Sequence, residues 1–135
     1  MGQVNEQELF NWLKDNHYPD LERSESEFDG FDCQSNKFKL FIELKSRKTH
    51  YDELLIEKYK FDFLVMEAGK LSYTPCYVNY TPQGVYFFDL ESILKAELDM
   101  KWQDKWLPTT TEFANTNNRV KKIGLLDVKW GTKLL

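Results

Sequence analysis

The chain has 135 residues, of which 41% are hydrophobic and 16% aromatic, and its formal net charge is -4. This length is typical of one domain with its own buried core, and the composition excludes a disordered or fibrous chain. The net acidity disfavours a protein that simply coats nucleic acid. We expect a single domain over residues 1–135, with a core at about 6–90 and a helical and basic C-terminal extension at about 91–135.

The cysteines and the hydropathy narrow the class of protein further. Cys33 and Cys76 lack the paired spacing of a zinc site, so we expect reduced, partly buried thiols. The first residues, MGQVNEQELF, show no basic region before an apolar run. No stretch reaches the ~20 apolar residues that a membrane helix needs. A cytoplasmic protein with no membrane partner is therefore the expectation.

Basic residues concentrate in two segments of this acidic chain. Residues 37–60 carry seven bases and four acids, and residues 117–135 carry five bases and one acid. These segments either form a local phosphate-binding face or belong to the ordinary solvated surface. Charge alone favours the second interpretation.

Periodicity predicts a helix followed by strands in the first third of the chain. Apolar residues repeat at helical spacing in ELFNWL after the N-cap residue Asn5, which predicts a helix over about 6–15 that ends at the YP pair. From residue 21 to residue 47 the period changes to two. That change predicts three short strands, or two strands with one bent at Gly30.

Two helices, a hairpin and a basic tail are predicted in the remainder. An apolar stripe predicts a helix over residues 51–70, and its members are Tyr51, Leu55, Tyr59, Phe63 and Met66. The runs CYVNY and VYFFDL, joined by TPQG, predict a hairpin. Asp89 is the expected cap of a helix through ESILKAELDMKWQDKW. Pro108 then opens a Thr- and Asn-rich loop. The final basic run, RVKKIGLLDVKW, is predicted to form one short strand or an edge addition. This order is typical of an α/β fold with a central mixed sheet flanked by helices.

The stretch FIELKSRK carries the residues that point to chemistry. Glu43 and Lys45 share one face of a predicted strand, whereas Ile42 and Leu44 share the other. A Glu-x-Lys pair alone favours a solvated strand face. A hydrolytic Mg²⁺ site needs at least two oxygen ligands from different segments, so an acid on the adjoining strand decides between the two interpretations.

The turn QSNK determines which upstream acid stands beside Glu43. With a three-residue loop at 35–37, the pairing places Asp29 directly opposite Glu43, with Cβ atoms ~5 Å apart. Asp32 is excluded from the position opposite Glu43, because that pairing would require Lys37 to pair with Phe38 and would leave no residues for the loop. A two-residue turn would point Asp29 away, so the prediction assumes an odd loop or one bulge.

With Asp29 as the first acid and Glu43-Leu44-Lys45 as the second motif, residues 6–90 resemble the PD-(D/E)XK nuclease superfamily. The first acid here follows Phe instead of Pro. The resemblance implies a restriction-endonuclease-like αβββαβ core and a Mg²⁺-dependent endonuclease, with Mn²⁺ as a substitute. The expected substrate is nucleic acid, with DNA favoured and branched or structured forms included. The alternative is a non-catalytic nucleic-acid-binding or protein-interaction module with the same fold.

Expected roles follow for individual residues. Asp29, Glu43 and the Leu44 carbonyl hold the metal, joined by Glu8 or Glu6 of the first helix, and Lys45 orients or activates the attacking water. The expected substrate-binding residues, with Glu57 in support, are Arg47, Lys48, His50, Lys58 and Lys60. Each of these has an alternative interpretation as a solvated surface charge. The resemblance also implies a homodimer, for which the aromatic C-terminal part is the natural interface.

Overall fold

The chain folds into two β-sheets with helices packed against them, and the computed structural model describes residues 4–25, 31–108 and 118–135. Within these ranges the helices are α1 (Glu6–Asn16), α2 (Lys58–Lys70) and α3 (Leu90–Lys95), with a 3₁₀ turn at Val128–Trp130. The strands are β1 (Glu22–Arg23), β2 (Cys33–Ser35), β3 (Leu40–Ser46), β4 (Glu53–Glu57), β5 (Thr74–Thr81), β6 (Gly84–Asp89), β7 (Gln103–Pro108), β8 (Asn118–Asp127) and β9 (Thr132–Lys133). None of the helices in the described ranges is long and apolar enough to cross a membrane.

A mixed sheet forms the centre of the described structure. Its strand order is β1-β2-β3-β5-β6-β9, with β3 and β5 parallel and the other neighbours antiparallel. A second, antiparallel sheet has the order β4-β8-β7. The mixed sheet with flanking helices confirms the predicted α/β fold class.

Strand β3 is covered on both of its faces. Ile42 and Leu44 pack with α1 residues such as Leu13 in one core cluster, whereas Phe41 packs with α2 residues such as Leu64 in another. The predicted assignment of alternate β3 residues to two faces is therefore confirmed. Because both sides are covered, Glu43 and Lys45 lie against protein instead of open solvent.

Local signals at α1 act as the sequence predicted. Asn5 accepts a hydrogen bond from the Glu8 amide at 2.8 Å, and the Glu8 carboxylate accepts from the Asn5 amide at 3.4 Å. These two bonds make a capping box, which satisfies amides left free at the helix start. The helix then presents Leu9 and Leu13 to the core.

The segment at residues 51–70 contradicts the predicted single helix. Residues 53–57 form β4, in which Leu54 and Ile56 are buried, and α2 begins only at Lys58. Of the predicted stripe, three members are largely exposed, namely Tyr51, Tyr59 and Met66. Strand β4 pairs with β8, which is distant in the sequence, so tertiary pairing overrides the local helical pattern.

The C-terminal part also differs from its prediction. Asp89 caps α3 as expected and accepts from the Ser92 amide at 3.0 Å, but α3 ends at Lys95 and the following residues include strand β7. The basic run expected to hold one short strand contains most of the ten-residue β8. Edge strand β9 follows. The predicted Thr- and Asn-rich loop at 109–117 lies outside the described residues.

The β5–β6 hairpin is confirmed, and Thr81 pairs with Gly84 across its turn. The cysteines expected to be thiols, Cys33 and Cys76, are both free and buried. They lie on β2 and β5, opposite Ile42 of the intervening strand.

Gly84→Ala should destabilise the fold. Gly84 has φ of 146°, and an added Cβ would collide with the Leu135 carbonyl oxygen. We expect the free energy of unfolding to fall by roughly 1–3 kcal/mol in urea titrations. Gly69→Ala is the matched control, because a Cβ there meets nothing within 4 Å. That change should leave stability equal or raise it by up to ~1 kcal/mol, since Gly69 lies in α2. Equal losses in both variants would contradict this account.

Candidate active site

The loop between β2 and β3 has four residues, 36–39, and the three-residue loop predicted at 35–37 is wrong. Ser35 pairs with Leu40 and belongs to the strand. The Ser35 hydroxyl donates to the Asp20 carboxylate at 2.7 Å, which holds Ser35 at this position. Because Asp20 lies outside the hairpin, the turn letters alone do not reveal this register.

The observed register brings Asp32 beside Glu43. Continued one residue beyond β2, the pairing places Asp32 opposite Glu43. The Asp32 amide donates to the Ile42 carbonyl at 2.9 Å, and its carboxylate accepts from the Leu44 amide at 2.7 Å. The exclusion of Asp32 is therefore wrong. Asp29, the predicted first acid, lies outside the described residues, and the register on which its placement depended is not the observed one.

Glu43 is a largely buried carboxylate in a crowded electrostatic environment. Its side chain is 15% exposed, and its Oε1 lies 3.6 Å from Lys60 Nζ. Burial raises the pKa of Glu43 to about 8, and the neighbouring Asp32 carboxylate adds to that rise. Lys60 only partly offsets the rise. Negative charge at this position is therefore costly unless a cation is supplied.

Lys45 lies two residues further along the same face of β3. Burial lowers the pKa of Lys45, and the cationic side chains of Arg47 and Lys60 lower it further. Glu6 partly counters this decrease. A lysine with a lowered pKa holds its proton less tightly, as a proton-accepting role requires.

Glu6 of α1 couples electrostatically to this cluster. Burial raises the pKa of Glu6, and Asp32 raises it further, whereas Lys45 lowers it. The Glu8 carboxylate is engaged in the capping box. That Glu8 holds the metal, with Glu6 as the alternative, stays a prediction. Sequence periodicity does not separate the two residues, because both lie in the first turn.

A divalent cation fits the donor set around Glu43. In the described ranges, no three His, Cys, Asp or Glu side chains form a group that would hold a metal ion by themselves. Mg²⁺ commonly binds to one or two carboxylates and completes its shell with waters, so a third side chain is not required. Asp32 and Glu43 supply two carboxylates, and a cation between them would relieve the repulsion that raises the pKa of Glu43.

Arg47, predicted to bind substrate, forms hydrogen bonds within the protein. Its Nε donates to Asn79 Oδ1 at 2.7 Å. Its terminal nitrogen donates to the Leu55 carbonyl and to the Tyr77 hydroxyl, the latter at 3.1 Å. These bonds join β3 to β5 and to β4 of the second sheet. Arg47 therefore joins the two sheets, and because it also lines the cleft beside Glu43, its contact with substrate stays a prediction.

His50 is also held by neighbours within the protein. Its Nδ1 lies 2.9 Å from the Thr81 hydroxyl, its Nε2 lies 3.4 Å from an Asp52 carboxylate oxygen, and its side chain is 9% exposed. Such an arrangement anchors the segment after β3 to the β5–β6 hairpin. That His50 binds substrate stays a prediction.

The other predicted substrate residues divide into two groups. Lys60 contacts Glu43, and Glu57 accepts from Lys121 Nζ at 3.0 Å. Lys48 is exposed at the end of β3. Lys58 pairs with Asp62 at 3.0 Å, and its Nζ lies 4.8 Å from the centre of the Trp102 ring. Of the four predicted residues, Lys60 and Glu57 line the cleft next to Glu43 and Lys45.

That cleft has a volume of about 230 Å³. Its polar lining consists of Glu43, Lys45, Arg47, Glu57, Lys60 and Tyr77. Leu55 and Leu107 form an apolar wall contributed by β4 and β7 of the second sheet. This wall was not predicted, because the local sequence patterns of both strands indicated helices.

Glu43→Gln should stabilise the metal-free protein, and the gain should grow with pH. The folded-state pKa of Glu43, about 8, lies above its ordinary value of 4.5. Stability is therefore lost as the pH rises from about 4.5 through about 8, and the uncharged variant escapes this loss. In urea titrations with a chelator present, the free energy of unfolding of the variant should exceed that of the wild type by roughly 1–3 kcal/mol near pH 8. The two values should become equal near pH 4.5. A difference independent of pH would contradict the electrostatic account.

The comparisons with known proteins support the architecture. No family model matches the chain, and no curated protein matches it. Among solved structures, the chain is similar to Hjc of Archaeoglobus fulgidus, a Holliday junction resolvase from an archaeal hyperthermophile. The TM-score is 0.59 and the sequence identity 18%, with 95% of each chain covered. At this identity the similarity shows the fold, and it agrees with the restriction-endonuclease-like fold that the sequence predicted.

Proposed function

We propose that this protein is a metal-dependent nuclease that hydrolyses phosphodiester bonds of nucleic acid. The observation that supports it most is that Asp32 stands beside Glu43, and that Glu43 and Lys45 line one cleft. Two carboxylates that repel each other and a lysine with a lowered pKa are the groups that metal-assisted hydrolysis needs. A purely structural strand face would not require this accumulation of buried charge.

Each residue has a distinct proposed role. Asp32 and Glu43, with the Leu44 carbonyl, hold Mg²⁺, with Mn²⁺ as a substitute, and Glu6 adds a ligand directly or through water. When bound, the ion supplies charge stabilisation at the phosphoryl oxygens and acidifies a bound water. Lys45 accepts a proton from the attacking water or stabilises charge on the phosphate. Lys60 supplies positive charge to a phosphate that enters the cleft.

DNA with branched or otherwise structured strands is the proposed substrate class. The support is the similarity in fold to a protein described as a Holliday junction resolvase. A homodimer is proposed with it, because two active sites are needed when two strands are cut in one encounter. A non-catalytic binding module with the same fold is the alternative, which predicts binding without cleavage.

Asp32→Asn should abolish cleavage, whereas Asp29→Asn should not. This change removes the negative charge beside Glu43, but the asparagine side chain keeps an oxygen that can accept the hydrogen bond from the Leu44 amide. With supercoiled plasmid, branched DNA and RNA as substrates and Mg²⁺ or Mn²⁺ added, we expect at least ~100-fold slower cleavage. Glu43→Gln and Lys45→Met should show comparable losses.

Asp29→Asn is the matched control, because the observed register gives the position opposite Glu43 to Asp32. Full activity of Asp32→Asn together with loss in Asp29→Asn would restore the register predicted from the sequence. Binding of DNA by the wild type without cleavage under any metal would favour the binding module.

Glu6→Gln and Glu8→Gln form a second matched pair. Glu6 couples to Asp32 and Lys45, so its neutralisation should reduce the rise in melting temperature that Mg²⁺ produces. Glu8→Gln preserves a capping box, because glutamine serves at that position, and it should keep the wild-type response. Thermal melts with and without Mg²⁺ measure both. An undiminished metal response in Glu6→Gln would remove Glu6 from the site.

A further inference from the structure

A groove continues from the cleft beside Glu43 across the second sheet, β4-β8-β7. Its volume is about 530 Å³, within the ~300–1,000 Å³ typical of ligand pockets. Glu57 and Lys60 line both the groove and the cleft, so the two are contiguous. The remaining lining residues are Tyr59, Arg119, Val120, Lys121 and Lys122.

The groove exists because β4 is shorter than β8. Strand β4 ends where Glu57 pairs with Ile123, and the chain then turns into α2. Residues 119–122 continue past that point and pair with β7 on their other side. The start of α2 and this extension of β8 therefore form the two walls.

The groove carries positive charge that its own acids do not neutralise. Lys121 is paired with Glu57, and Lys60 with Glu43. In the described part of the chain, neither Arg119 nor Lys122 has an ion-pair partner, although both are exposed. This unneutralised positive charge suits an anionic polymer such as a phosphate backbone.

Tyr59 provides an aromatic surface at the same place. Its side chain is 72% exposed, and its ring centre lies 5.8 Å from that of Phe63 on the next turn of α2. Val120, also lining the groove, is 51% exposed. An exposed aromatic ring beside unpaired cations is the combination with which proteins stack single-stranded bases.

A second copy of the chain fits this groove less well than nucleic acid does. In a twofold-symmetric dimer the same patch meets itself, so Arg119 and Lys122 would face like charges. Paired bases would not suit it either, because stacking on a tyrosine needs a base released from its partner.

We propose that the groove binds an unpaired nucleotide of the strand whose phosphate enters the cleft. Its base stacks on Tyr59, and Arg119 and Lys122 contact the flanking phosphates. The proposal rests on the proposed nuclease function and specifies which form of nucleic acid that nuclease prefers. The preferred substrate carries a single-stranded gap, flap or branch next to the scissile bond, and a fully paired duplex is bound less well.

The test is a binding assay in chelator with fluorescent oligonucleotides. One probe is a duplex, and the other is the same duplex with a gap of a few nucleotides. Tyr59→Ala should weaken binding of the gapped probe about tenfold and leave duplex binding nearly unchanged, whereas Tyr59→Phe should retain affinity. For the gapped probe, the logarithm of the binding constant falls linearly with the logarithm of the salt concentration. Arg119→Ala and Lys122→Ala should each make the slope of that line shallower by roughly 0.7–0.9.

Matched controls are Tyr51→Ala, an exposed tyrosine outside the groove, and Lys95→Ala, an exposed lysine on α3. Both should bind the two probes like the wild type. Equal effects of Tyr59→Ala on both probes, or none on either, would overturn the groove proposal. So would loss of self-association in that variant with unchanged affinity per chain, which would make the groove an interface between copies.

The assay also separates this proposal from the proposed function. Wild-type cleavage that depends on Asp32, combined with normal binding by Tyr59→Ala, would overturn the groove proposal alone. Absence of both binding and cleavage in the wild type would overturn the two together.

Discussion

A hydrogen bond from Ser35 to Asp20 determines the geometry on which the candidate site depends. Asp20 accepts from the Lys37 amide at 2.8 Å and from the Ser35 hydroxyl at 2.7 Å, and these bonds hold the pKa of Asp20 below its ordinary value. They keep Ser35 in the strand and fix the pairing of β2 with β3. Since a slip of one residue reverses every side chain of a strand, the same bonds decide that Asp32 stands beside Glu43. A surface carboxylate thus controls which acid is available for chemistry.

The site that this register creates is electrostatically unfavourable without a cation. Burial and the neighbouring Asp32 raise the pKa of Glu43, whereas burial lowers that of Lys45. Both shifts oppose the charged form, and a folded protein retains such groups at a cost in stability. Lys60 offsets part of that cost at 3.6 Å from Glu43. An arrangement of this kind is understandable if a divalent cation and a phosphate complete it, because they neutralise the acids and use the lysines.

Local signals predicted the parts of the fold that local contacts determine. The first helix follows from its capping box, the β5–β6 hairpin from its turn, and the shared face of Glu43 and Lys45 from strand alternation. The errors arose where partners are distant in sequence. Residues 53–57 became a strand through pairing with β8, and the bonds of Arg47 and His50 to Asn79 and Thr81 could not be inferred from their own segment. The hairpin register that placed Asp29 opposite Glu43 was wrong for the same reason, because Asp20 is not part of the turn.

The most direct measurement of the central claim is the anomalous diffraction of a crystal grown with Mn²⁺. The account predicts one strong peak bound by carboxylate oxygens of Asp32 and Glu43, at the ~2.0–2.2 Å typical of oxygen ligands to small divalent cations. Lys45 should lie beside the ion without binding it. A peak bound by Asp29 in place of Asp32, or no peak near Glu43 at saturating Mn²⁺, would contradict the account.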